Sequence, residues 1–291
     1  MKFLKLLQYD LGKNLLAKPI KWIVSGLLFL YFFLNFTLDG THTFWCKNTL
    51  MENIQVFHGL EISVGDSLIY LTGGMLPIEF TSLTDNFQFP VMWLLPHITI
   101  LYITLSYPSD DLNCMGIQVL TRMRSKYLWW LSKCLWNILS VVSCFVVGLF
   151  VWYLLSILTG KVMDYSLNEI FFNRMFHDYI SEQNAANFEY IMCFIIMPIV
   201  VCITISLIQM ALTLYIKPVF AYMMVCIYYI AGIYYANPVL ISNYAMSSRS
   251  SVLGLYNFRP ETGIVICSVF ATTAIIIGVI RMKNKDLINM D

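Results

Sequence analysis

The sequence predicts an all-α membrane protein with six transmembrane helices. An amphipathic helix lying in the membrane interface precedes them, and both termini are cytoplasmic. Three observations predict this. The 291 residues are 59% hydrophobic and 12% charged, with a mean hydropathy of +0.70; a soluble protein carries roughly 25% charged residues. Six stretches free of Asp, Glu, Lys and Arg are long enough, with their uncharged flanks, to cross about 30 Å of hydrocarbon. Basic residues collect in segments that alternate along the chain with acidic ones, the pattern of the positive-inside rule.

Residues 1–19, "MKFLKLLQYDLGKNLLAKP", place Phe3, Leu4, Leu7, Leu11, Leu15 and Leu16 near helical spacing among Lys2, Lys5 and Lys13. That spacing predicts an interfacial helix turning at Pro19 into the first span. It does not predict a cleaved signal: the apolar run after Lys21 is too long for an h-region, and no A-x-A-like site follows it.

The charge-free stretches are Trp22–Phe36, Val91–Ser106, Cys134–Leu158, Ile191–Ile216, Val219–Ala236 and Thr262–Ile280. With their flanks they give spans at 20–37, 88–107, 128–158, 190–216, 218–236 and 262–281. They are apolar all round, whereas barrel strands alternate polar and apolar residues, so helices are expected. With both ends inside, the cytoplasmic segments hold 13 of the 18 basic residues and 5 of the 17 acidic ones. The formal charge is then +8 inside and −7 outside.

The outer connections are 38–87, 159–189 and 237–261. In the first, "SVGDSLIYLTGGM" predicts a short helix capped by Asp66 and ended by Gly73-Gly74. In the second, Ser166 and Glu169 have capping-box spacing before an apolar stripe of Ile170, Phe171, Met175, Tyr179 and Ile180. The third, with "MSSRSS", reads as irregular. None is large enough to be an independent domain. Six of the eight cysteines lie in apolar runs and read as small buried hydrophobes; no disulfide framework and no metal spacing is present.

Chemistry-bearing motifs are missing. There is no GxxxxGK[ST], so the chain binds no ATP of its own, and no HExxH or GxSxG. His97 is the one titratable candidate well inside a span. It follows Pro96, so it could line a pathway through a kinked helix; the favoured reading is a structural histidine satisfied by neighbouring backbone. The six cores lack charged residues, whereas ion-coupled carriers need ionisable or ion-binding groups there. Energy is therefore expected from a soluble cytoplasmic partner. No nucleic-acid partner is expected.

The cytoplasmic connection, 108–127, runs into "GIQVLTRMRSKYLWWLSKCLW". Trp129 and Trp130 suit the membrane–water interface, with Lys126 and Lys133 as further anchors beside them. This segment, the six spans and the basic ends together resemble the membrane-spanning subunit of an ABC-2 type exporter, of the kind found in Gram-positive peptide or bacteriocin export and immunity systems. The matching positions are Gly116, Ile117, Gln118, Leu120, Arg122, Ser125, Trp129, Trp130 and Lys133; Arg124 lies within the same run. The resemblance implies a dimer of permeases, identical or paralogous, each docked on a separate ATPase that holds ATP and Mg. It implies that Gly116, Ile117, Gln118, Leu120, Arg122, Arg124 and Ser125 couple to that ATPase. Membrane lipids surround it, the expected substrate is amphipathic or apolar, and the expected location is a bacterial cytoplasmic membrane. The alternative is a non-transporting anchor or sensor that recruits a cytoplasmic partner; an intramembrane enzyme is disfavoured because only His97 offers itself.

Overall fold

Lipid offers no partner for a backbone N–H or C=O, so each apolar run closes its hydrogen bonds within itself and becomes a helix. The computed structural model describes residues 2–12, 19–38, 63–76, 89–112, 125–165, 167, 187–253 and 256–284. Among these the chain is helical: α1 (Lys2–Asp10), α2 (Ile20–Leu38), α3 (Val64–Thr72), α4 (Val91–Leu105), α5 (Tyr107–Asp111), α6 (Lys126–Leu158), α7 (Asn187–Ile191), α8 (Met197–Leu212), α9 (Pro218–Tyr234) and α10 (Pro260–Asn284). The described residues hold no strand, only isolated bridges at Ser63–Val162 and Ser250–Phe258.

Four helices are long and apolar enough to cross a membrane: Ile20–Thr37 within α2, α6, the continuous Asn187–Leu212, and α10. The other two expected spans are shorter apolar helices. α4 has 15 residues and α9 has 17, about 22 and 26 Å at 1.5 Å per residue. α5 carries the chain onward from α4 after a break at Ser106. Large apolar side chains are exposed at helical spacing, as on α2 at Ile20, Ile23, Leu27, Tyr31 and Leu34. A stripe of that kind suits contact with lipid rather than water.

α6 organises the packing. Its 33 residues span about 50 Å, longer than the roughly 30 Å of hydrocarbon. α6 packs against α1, α2, α8 and α10. On its C-terminal half Trp152 meets Phe33 edge-on at 5.1 Å and donates to Ser67 Oγ of α3 at 3.0 Å. On its N-terminal half Trp130 lies against Gly278 of α10 so closely that any Cβ there would overlap the indole.

α3 forms where the sequence places it, but its cap is Ser63, not Asp66. Ser63 Oγ accepts from Asp66 N, and Asp66 Oδ2 accepts from Ser63 N, both at 3.0 Å. The reciprocal pair satisfies two free N–H groups where a single cap would satisfy one. Gly73 follows the helix, and Gly74 turns the chain at φ +69°, where only glycine sits without strain.

The segment after α9 is more ordered than its composition suggests. Ile241–Ala245, Ser247–Arg249 and Ser251–Leu253 are 3₁₀ turns, and every residue from Ile241 to Ser250 is buried. Arg249 holds it in place. Its guanidinium is 0% exposed and donates to the carbonyls of Met75, Gly232 and Ile233 and to Asn243 Oδ1. Gly232 and Ile233 end α9, where the helix dipole favours a cation. Burial pulls the Arg249 pKa down to about 10, with Tyr256 acting to raise it. The Ser166–Glu169 capping box and the stripe of Ile170, Phe171, Met175, Tyr179 and Ile180 lie outside the described residues. Cys134, Cys144, Cys193, Cys202 and Cys267 are buried and Cys226 half-buried, all as free thiols; Cys46 and Cys114 lie outside the described residues.

Candidate functional site

The densest polar site lies where α1, α5 and the start of α6 meet. Lys133 falls two turns into α6 and is 0% exposed. Its Nζ donates to Asp10 Oδ1 at 2.6 Å and to Tyr107 Oη at 3.2 Å, and it forms a second ion pair with Asp111 Oδ2 at 2.8 Å. Asp10 is 0% exposed; its Oδ1 also accepts from Tyr107 Oη at 2.7 Å and its Oδ2 from Ser132 Oγ at 2.6 Å. Asp111 Oδ2 also accepts from Trp129 Nε1 at 3.2 Å.

Aromatic rings extend the cluster. Lys133 Nζ lies 4.5 Å from the Tyr107 ring centroid and 5.2 Å from that of Trp129. Tyr107 and Trp136 pack at 4.2 Å, and Lys21 Nζ sits 4.3 Å above Trp136. Three helices are thus tied by one buried lysine between two carboxylates. Breaking such a set by removing one member is costly, because a charge is left buried without its partner.

This position bears on the connection between α5 and α6. Asp111 and Leu112 are the last described residues before 113–124, and Ser125, Lys126 and Trp129 are the first after it. The Asp111 contacts to Trp129 and Lys133 therefore clamp the two ends of that segment together. Asp10 adds α1 to the clamp.

The sequence-predicted residues divide accordingly. Gly116, Ile117, Gln118, Leu120, Arg122 and Arg124 lie outside the described residues. Ser125 occupies the N-cap position of α6, but its hydroxyl makes no capping bond and is buried. Lys126 is half-buried. The lipid-anchor reading of Trp129, Trp130 and Lys133 is corrected, because all three are 0% exposed. Other helices cover α6 there: Trp129 and Lys133 face α1 and α5, and Trp130 Nε1 donates to the Ile275 carbonyl of α10 at 3.1 Å.

The sequence reading missed Asp10, Tyr107 and Asp111 as site residues. One signal was available. Asp10 stands four residues after Leu6, which is itself buried, so both lie on one face of α1. An acid on the packed face of a helix needs a cation.

His97 is 3% exposed and sits among rings, with Trp93, Tyr229 and Phe145 centroids at 5.1, 5.5 and 6.0 Å. Its Nδ1 lies 2.7 Å from the Trp93 carbonyl oxygen. The adjoining cavity measures about 20 Å³ and is lined by Phe29, Thr72, Pro96, Phe145 and Pro198 among others. That is room for about a single water molecule, not for an amphipathic substrate. No group of three or more His, Cys, Asp or Glu among the described residues is placed to hold a metal ion.

A family model described as a protein of unknown function, DUF2705, matches residues 62–288, which is most of the chain. The chain belongs to the DUF2705 family. The matched range includes Tyr107, Asp111, Trp129 and Lys133 but begins after α1 and α2, so the DUF2705 match leaves Asp10 outside it. No curated protein and no solved structure matches the chain.

Proposed function

We propose that the chain is the permease subunit of an ATP-driven ABC-2 type exporter that moves an amphipathic or apolar substrate, of the peptide-antibiotic kind, across a bacterial cytoplasmic membrane. Six helices would span, with α4–α5 and α9 as the two shorter ones and both termini inside. The charge distribution of +8 and −7 supports that orientation. A separate ATPase would dock on the 108–127 connection, and a second permease, identical or paralogous, would complete the pathway.

The observation that carries this reading is the buried Asp10–Lys133–Asp111 cluster at the root of 113–124. A segment that transmits movement needs a stiff base, or its displacement is lost in local bending. Here both ends of the segment are joined to each other and to α1 through buried charge-assisted bonds, which are stronger than neutral ones. A lipid anchor would have no use for such a joint; it would carry its cations at the surface, within reach of headgroups.

The experiment is charge reversal on the docking segment, Arg122→Glu with Arg124→Glu. An exposed ion pair contributes about 0–1 kcal/mol, so single Ala changes do little. Two reversals also oppose the anionic leaflet, at roughly 1 kcal/mol per basic residue. The pair should abolish recovery of the ATPase in a detergent pull-down and its substrate-stimulated hydrolysis, while the chain still inserts. Normal recovery and hydrolysis would remove the docking role from this charge pair. Recovery of a cytoplasmic partner with no ATPase activity would favour the anchor or sensor reading instead.

A further inference from the structure

α10 is the least buried of the four long apolar helices, and one face of it is uncovered. Val269, Ile276, Ile277 and Ile280 are exposed there. Ser268, Thr272 and Thr273 are exposed with them, but each hydroxyl turns back to its own helix. Ser268 donates to the Ile264 carbonyl, Thr272 to that of Ser268 and Thr273 to that of Val269. Polar side chains that join helices in a membrane bond across the interface. These are matched within α10, so the face suits an acyl chain, which offers no polar partner.

The end of this face is basic. With 3.6 residues per turn, Arg281 stands about 100° to one side of Ile280 and Lys283 about 60° to the other. The two exposed cations therefore flank the apolar stripe. The Arg281 guanidinium lies 4.8 Å from the ring centroid of Tyr215, just past the end of α8. Such a contact takes the flat face of the guanidinium and leaves its N–H edge for another ligand. Lys217, two residues on from Tyr215, is exposed as well. None of these three cations has a hydrogen bond or ion pair among the described residues. No Asp or Glu occurs in 197–234 or 262–284. The helix dipole explains a cation in a last turn; it does not explain three unmatched cations around one apolar stripe. A phosphate carrying an apolar tail matches both halves. A zwitterionic headgroup would bring its own ammonium against three cations, with no carboxylate in these stretches to receive it.

We propose that the end of α10 and the turn after α8 form a binding site for an anionic phospholipid. Its phosphate lies between Arg281, Lys283 and Lys217, and an acyl chain runs along Ile280, Ile277 and Ile276. The stack on Tyr215 fixes the guanidinium at the level where the apolar stripe ends, which is where a phospholipid changes from tail to phosphate. The bound lipid joins the ends of α8 and α10. The inference stands whether or not the chain is an exporter.

The experiment is photo-labelling of the full chain in nanodiscs of phosphatidylcholine containing a small fraction of phosphatidylglycerol with a diazirine in one acyl chain. Mass spectrometry of the digested chain locates the adducts. Both faces of a nanodisc carry the probe, so the result does not depend on orientation. The expected adducts fall on α10 between Val265 and Ile280. Unlabelled phosphatidylglycerol should compete them away several-fold more effectively than unlabelled phosphatidylcholine. Arg281→Gln with Lys283→Gln should lower the labelling more than tenfold, at roughly fivefold for each basic residue removed, and Arg281→Lys should keep most of it. Equal competition by the two lipids on the wild-type chain would overturn the proposal, whether or not the double variant folds. So would undiminished labelling of a folded double variant. Loss of labelling on adding inorganic phosphate would show a free-phosphate site in place of a lipid site, and would also overturn it.

Discussion

Replacing Asp10 by Ala is the sharpest probe of the buried cluster. Asp10 accepts from three donors: Lys133 Nζ, Tyr107 Oη and Ser132 Oγ. The substitution leaves Lys133 buried with Asp111 and Tyr107, so one ion pair of two survives. Breaking a buried pair typically costs about 3–5 kcal/mol; the surviving Asp111 contact puts Asp10→Ala near the lower end, about 3 kcal/mol, or on the order of a hundredfold in the folding equilibrium. Lys133→Met should cost about as much or more, because it leaves two carboxylates facing each other across an apolar side chain. The double variant Asp10→Leu with Lys133→Met removes the Asp10–Lys133 pair and fills its space, leaving Asp111 with its bond from Trp129. Such replacements of buried pairs are often neutral, so the double should cost less than the two single costs together by at least about 2 kcal/mol, a coupling in the range expected for residues in contact. The assay is denaturant unfolding in mild detergent followed by tryptophan fluorescence, to which Trp129 beside Asp111 contributes. Additive single costs would refute the reasoning, because Asp10 and Lys133 would then not act as one unit.

Further outcomes follow from other contacts. Arg249→Lys should lower stability by about 2 kcal/mol, since an ammonium cannot reach the four acceptors spread around a planar guanidinium; unfolding in detergent measures it, and wild-type stability would discount the clamp. Gly278→Val must push Trp130 away from α10, an overpacking that costs about 1–3 kcal/mol; the same assay should show the loss, with Gly278→Ala milder. Orientation is read by labelling intact cells with an impermeant thiol reagent: Asn237→Cys, in the exposed turn after α9, should react, and Lys283→Cys, exposed at the end of α10, should not. The reverse pattern would invert the topology.

The helices were legible because hydrocarbon permits few alternatives. Runs without charge became α2, α4, α6, α8, α9 and α10, with limits close to the charged residues that flank them. The site was less legible, for a physical reason. Trp129, Trp130 and Lys133 carry the composition of a lipid interface, and composition cannot distinguish a side chain facing headgroups from one covered by another helix. What covers them is α1, more than a hundred residues earlier in the chain, and α10, which follows them by nearly 150 residues. Asp10 looked like an ordinary surface acid until α1 was placed against α6. Arg249 and the 3₁₀ turns around it were equally hidden, because Ser-rich composition usually means a solvated loop. The reciprocal cap at Ser63 and Asp66 was half legible: Asp66 marks a helix start by residue type alone, whereas its partnership with Ser63 depends on the turn that brings the two together.

In the proposed exporter, the 108–127 connection docks a separate ATPase. A photo-crosslinking amino acid placed at Gln118, activated in native membranes and followed by mass spectrometry of the covalent products, tests it most directly. The expected product is a covalent adduct with a cytoplasmic subunit that carries GxxxxGK[ST], the phosphate-cradling motif this chain lacks, with weaker capture when Asp10→Ala loosens the base of the segment. Capture of lipid alone, or of a protein without a nucleotide-binding motif, would contradict it.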